Sequence, residues 1–187
     1  MIELFSENLD PGPEEVAKRS GLSPRSVYRY FEDRDALLQA AIDRQVDMIA
    51  PLFAIHDIGQ GHLDDRIDEF VAVRVRTYEA AADGARAARL RAPFSEMIRE
   101  RVEMTRRIMT EQVDRQFATE LEVLGDKQRR SKAAAVDALC QFEALDHYRV
   151  HRGFSATATR TMMADALHDL LDPDGTRSAA DGEDDRR

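Results

Sequence analysis

Along nearly the whole chain, apolar residues recur at spacings of three and four, and no segment alternates residue by residue as a strand does. The pattern predicts an all-α protein. "MIELFSE" reads as a short helical piece, and "NLDPGP" breaks it. Pro13 suits a first helical position, Glu14 and Glu15 suit the positive end of a helix dipole, and Gly21 is a natural left-handed stop. Ser23 is placed to cap the next, short helix, with Pro24 in its first turn and its end near Phe31. Asp33 is placed to cap a longer one, with Leu38, Ile42, Gln45, Ile49 and Leu52 along one face. A loop is expected over 56–62 and a helix over 63–82, interrupted near Asp83–Gly84. A long helix is expected from Pro93 to about Leu124, another from about Lys127 to Tyr148, and a last one capped by Ser155. The last carries a regular stripe: Ala158, Met162 and Met163, Ala166 and Leu167, Leu170 and Leu171.

These elements divide into a small head (1–50), a larger helical part (51–172) and a tail (173–187) without large apolar residues, which reads as disordered. The tail aside, a chain of 187 residues with 43% hydrophobic content is long enough to bury a real core. The single cysteine, Cys140, excludes an internal disulfide and suits the cytoplasm. No run of apolar residues is long enough for a membrane helix, and the start lacks the pattern of a signal peptide.

Charge changes the picture at one place. The chain is acidic, with 36 Asp plus Glu against 27 Lys plus Arg, which argues against a general polyanion binder. Yet the window Val16–Phe31 holds Lys18, Arg19, Arg25 and Arg29 and no acidic residue. Two short helices meeting at Gly21, the second positive, form a helix-turn-helix pattern. Val16, Ala17, Leu22, Val27 and Phe31 would make its core. Arg25, Ser26 and Arg29 then face outward, where an arginine can read guanine with two hydrogen bonds. Tyr28 and Tyr30 can donate to phosphates, and Arg34 opens the following helix, where its charge and the helix dipole favour a phosphate.

The stretch "EEVAKRSGLSPRSVYRYFEDRDALLQAAI" (14–42) resembles the DNA-binding domain of the tetracycline-repressor (TetR/AcrR) family of transcription regulators. The resemblance rests on the Ala of the second helix, the Gly–hydrophobic–Ser turn, Tyr28 three residues before Phe31, and "DRDALL" opening the next helix. It implies groove-facing positions at Pro24, Arg25, Ser26 and Arg29, and phosphate contacts from Tyr28, Tyr30 and Arg34. Two departures from the family pattern are a first helix expected to be a turn or two short and Gly12–Pro13 where a capping Thr is usual. Over about 55–171 the resemblance is one of layout only.

The larger part offers no catalytic constellation and no phosphate loop, so no enzyme, cofactor or metal is expected. His147 and His151 stand four apart without further ligands at matching distance. Charges do interrupt apolar faces: Arg74 in the stripe shared by Tyr78, Arg101 between Ile98 and Thr105, and Glu143 and His147 beside Leu139 and Cys140. Two readings stand for these. One is an internal network, with Arg74 or Arg101 pairing Glu143. The other is a ligand pocket formed by Arg74, Tyr78, Arg101, Met104, Glu143 and His147, in which Arg74 favours an anionic or carbonyl-bearing ligand. The helices at 127–148 and 155–171 suit a four-helix dimer interface.

The sequence therefore points to a homodimeric, effector-responsive repressor that binds a near-palindromic double-stranded DNA operator. A helical ligand-binding or protein-interaction module with a degenerate head is the alternative.

Overall fold

The computed structural model describes residues 12–21, 23–31 and 34–172, without the side chains of 13, 34, 35, 38, 41 and 45. The expected first helical piece, Leu22 of the turn, capping Asp33 and the tail lie outside the described residues. All regular structure among them is helical: α1 (Pro13–Ser20), α2 (Pro24–Tyr30), α3 (Arg34–Ile49), α4 (Leu63–Arg91), α5 (Glu96–Gln116), α6 (Ala118–Glu122), α7 (Asp126–Cys140), α8 (Phe142–Asp146) and α9 (Ala156–Leu171).

Local chemistry sets the first elements. Gly21 takes φ 71° and donates its N–H to the Ala17 carbonyl, closing α1. Ser23 Oγ accepts the Ser26 N–H at 3.1 Å, capping α2. Ser155 does the same for α9, accepting the Ala158 N–H at 3.0 Å.

Helix boundaries differ from the sequence expectation at four places. The expected break at Asp83–Gly84 does not occur, and α4 runs unbroken for 29 residues. A helical glycine costs only about 1 kcal/mol, and the flanking alanines are strong helix formers. Pro93 sits in a 3-10 turn (Ala92–Phe94), so α5 starts only after Ser95. It ends at Phe117, fully buried edge-on to Phe70 at 5.2 Å, rather than at Leu124. The expected helix 127–148 breaks at Gln141, whose ψ is 161°. Cys140, Phe142 and Leu145 are all buried. One straight helix would point Cys140 and Phe142 to nearly opposite sides, and the extended Gln141 resets the phase. A wide π turn (His147–His151) follows α8.

The main core forms around α4. Ile67, Phe70, Val71 and Val75 meet Val113 and Phe117, Val136, Leu145, and Met163 and Leu167 of α9. A separate small core joins Val16, Ala17, Val27 and Leu37, with Phe31 packed against it. A third cluster, Ile98 and Val102, receives Ile42 from α3. Two buried knots tie α4 to α5. The Arg66 guanidinium pairs with the Glu120 carboxylate and donates to the Gln116 carbonyl at 2.6 Å. The Gln116 amide, fully buried, donates to the Arg66 carbonyl at 2.9 Å and accepts the Gly59 N–H at 2.9 Å.

Candidate nucleic-acid interface and cavity

Val27 is buried and Phe31 half-buried, which fixes the rotation of α2. At about 100° per residue, Arg25 and Arg29 share the opposite side, and both are exposed. Tyr28 and Tyr30 flank them, 55% and 66% exposed, and Pro24 is exposed as well. Aromatic rings held this far out of a core suit contact with a partner rather than packing. Ser26 is half-buried, its hydroxyl 2.9 Å from that of Ser23, so it serves the cap as well as the face. Arg29 lies across Tyr30, donating to its hydroxyl at 3.0 Å with the guanidinium carbon 5.0 Å from the ring centre. Arg34 is the first residue of α3, and its side chain is outside those described.

Residues 13–41, which span this helix pair and half of α3, match the family model for bacterial regulatory proteins of the tetR family. The chain carries the head of a TetR-family regulator. The match supports a DNA-binding transcriptional regulator, with α1 and α2 as its helix-turn-helix. No curated protein and no solved structure gives a significant match to the chain.

Behind the head, a cavity of about 140 Å3 opens. Ile42, Val46 and Ile49 of α3 form one wall. Ala81, Gly84, Ala85 and Ala88 of α4 form a second, and Ile98, Val102 and Met109 of α5 with Phe142 and Leu145 complete it. The head and the larger part therefore share a lined space. They are also tied by an ion pair, Arg101 to Asp43 at 2.6 Å, both side chains about half-exposed.

The six side chains expected at a pocket divide. Arg74, Tyr78 and Arg101 line the cavity, whereas Met104, Glu143 and His147 do not. Met104 is 47% exposed, on the outer side of α5 from Val102 and Met109. Glu143 and His147 are turned outward by the same break at Gln141 that brings Phe142 and Leu145 inward.

The expected pairing of Arg74 or Arg101 with Glu143 does not form. Arg74, 2% exposed, donates to Gln112 Oε1 and to the Met109 carbonyl, both at 2.8 Å, and stacks over Phe70 at 4.4 Å. Gln112 is held for this task by its own bond to the Phe53 carbonyl at 2.7 Å. Arg74 has no carboxylate against it, and burial pulls its pKa from 12.5 down to about 10. Glu143 pairs instead with Arg89 at 2.9 Å and Arg106 at 2.5 Å. Partial burial opposes its ionisation, but the two arginines win and hold its carboxyl down at about 2. Tyr78 donates to Asp146 at 2.9 Å, and burial followed by that bond pushes its hydroxyl up to about 12. Cys140 is buried, and desolvation pushes its thiol up to about 12, the signature of a packing residue.

Arg89 and Arg91 also line the cavity, and sequence reasoning missed them by ending the helix at Ala82. The continuing spacing of Ala81, Ala85 and Ala88 was the available signal. No helix among the described residues is long and apolar enough to cross a membrane.

Proposed function

We propose that this regulator works in the cytoplasm as a homodimeric repressor rather than an enzyme, releasing a near-palindromic operator when a small molecule fills the cavity. The observation that carries the reading is the double membership of α3. Its Leu37 belongs to the core of the head, while Ile42, Val46 and Ile49 belong to the cavity wall. A ligand that moves this wall moves the helix on which the recognition helix is seated. Repression needs nothing beyond occupancy, since a dimer on its operator excludes other proteins from that DNA. Arg25 and Arg29 supply base contacts, and Pro24, Ser26, Tyr28, Tyr30 and Arg34 position the head on the groove and backbone. Two heads read two half-sites about one helical turn apart. The subunits meet through the outward sides of α7 and α9, where Ala134, Ala138, Ala158 and Thr161 are exposed. Induction requires that the ligand prefer the released state, and coupling of this kind is typically about 1–3 kcal/mol.

The test is operator selection from random duplex DNA, followed by gel-shift titration and light scattering. A palindromic consensus bound by two chains supports the reading. A monomer at micromolar concentration, or binding without sequence preference, defeats it.

The second reading, a helical ligand-binding or protein-interaction module with a weak head, is favoured by one observation. Arg29 is engaged with Tyr30, and the N-cap of α1, Gly12, offers no side chain to a phosphate. A salt series separates the two, because phosphate contacts make affinity fall steeply with salt.

A further inference from the structure

We propose that the cavity takes a small organic anion, a carboxylate on a compact apolar body, with Arg74 as its counter-charge. This rests on the cavity being the effector site and names the chemistry of its occupant.

The first observation is the sign of the lining. In a chain with nine more acidic than basic residues, four arginines line the cavity (Arg74, Arg89, Arg91 and Arg101) and, among the described lining residues, no Asp or Glu does. Two of the four already have carboxylate partners from outside the lining, Arg89 with Glu143 and Arg101 with Asp43.

Arg74 differs. Its acceptors, Gln112 Oε1 and the Met109 carbonyl, are both neutral, and its Nε–H has no acceptor at all. A guanidinium has five N–H groups in a planar fork, so donors remain that the protein does not satisfy. Asp137 acts on this buried cation through its charge but accepts none of its hydrogen bonds, which go to neutral groups beside the face of Phe70; a carboxylate is the shape that fits the open part of its fork.

The remaining polar atoms narrow the choice. Thr77 gives its hydroxyl to the Leu52 carbonyl at 3.0 Å, Thr105 to the Arg101 carbonyl at 3.0 Å, and Tyr78 to Asp146. A ligand therefore meets cationic donors and hydrocarbon but no carboxylate to hold a cation or an ammonium group. A multiply charged phosphate ester is disfavoured by the same apolar walls. At about 140 Å3 the space is close to that of an engineered protein cavity that admits benzene, so it accommodates a body of one ring or a short chain.

The experiment titrates the full-length protein by calorimetry with benzoate, benzamide and toluene at fixed ionic strength, and repeats it on Arg74→Met and Arg74→Lys. Benzoate is expected to bind at least tenfold more tightly than benzamide. Arg74→Met should abolish that preference while toluene still binds, and Arg74→Lys should retain only part of it. If toluene binds while benzoate is no better than benzamide, the cavity reading survives and the anion proposal falls. The anion proposal also falls if Arg74→Met keeps the benzoate preference. If none of the three binds, nor hexanoate and its amide, both readings fall. The wild-type comparison of acid with amide decides the matter even if a variant fails to fold.

Discussion

Two buried arginines stand on α4, and truncating them should have opposite results. Arg66 is 5% exposed and pairs with the Glu120 carboxylate, itself only 14% exposed; it also donates to the Gln116 and Gly61 carbonyls. Arg66→Met leaves Glu120 charged and buried without its partner, a loss of about 3–5 kcal/mol. Arg74 is buried to the same degree but faces only neutral acceptors. The fall of its pKa from 12.5 to about 10 means that the fold already disfavours its charge, by roughly 3 kcal/mol at 1.36 kcal/mol per unit. Arg74→Met removes that penalty, keeps most of the volume and leaves Gln112 Oε1 without a donor, a cost of about 1–3 kcal/mol. The two terms largely offset, so Arg74→Met should lie between the wild type and about 2 kcal/mol above it in stability. Urea titrations followed by circular dichroism, at equal slope, would measure both. Adding Glu120→Gln to Arg66→Met should recover part of its loss, because it discharges the stranded carboxylate. An Arg74→Met loss as large as that of Arg66→Met would refute the reasoning. It would mean that the neutral acceptors and Phe70 stabilise the buried cation as fully as a carboxylate does.

Three further outcomes are expected. On a selected operator, Arg25→Ala and Arg29→Ala should each relax base preference at a cost of about 1–3 kcal/mol, whereas Tyr28→Phe and Arg34→Ala should weaken binding to all sequences more evenly; a double Arg25/Arg29 variant with unchanged gel shifts would remove α2 from the groove. Leu167→Glu should unfold the chain rather than merely separate subunits, because Leu167 is fully buried in the chain's own core; a folded monomer by light scattering and circular dichroism would contradict that packing. Glu143 has its carboxyl held down at about 2 against an ordinary 4.5, so its pairing stabilises the fold above about pH 4.5 and is lost as pH falls towards 2. Melting curves of Glu143→Gln should therefore lie below those of the wild type at neutral pH and converge with them near pH 2; a constant gap across that range would show that Arg89 and Arg106 do not set the titration.

What the sequence made legible was mostly local. Gly21, Ser23 and Ser155 punctuate helices through bonds to residues within four positions, and Pro24 by its fixed backbone angle at a first helical turn, so their roles could be read directly. The rotation of α2 followed from Val27 and Phe31. The failures came where distant residues decide. Phe117 ends α5 because Phe70 is there to receive it, and Gln141 turns extended so that Cys140 and Phe142 can both reach the core. Periodicity does not register such partners. The candidate pocket suffered from the same errors of phase. Arg74 was recognisable as a cation on an apolar stripe, but its supposed partner Glu143 lay beyond an unforeseen break. Arg66 went unremarked because its ties to Glu120 and Gln116 span 54 and 50 residues.

The α4 wall of the cavity is built from Ala81, Gly84, Ala85 and Ala88, residues with one side-chain carbon or none. Positions three and four apart on one helix present a continuous strip. Larger side chains there would take up part of the cavity while the helix backbone is already regular. In a volume of about 140 Å3 each such addition removes a sizeable share. If the cavity is the effector site, the strip works as a sizing gauge that is separate from Arg74. On that reading, single substitutions on α4 would change which ligand fits without touching α2.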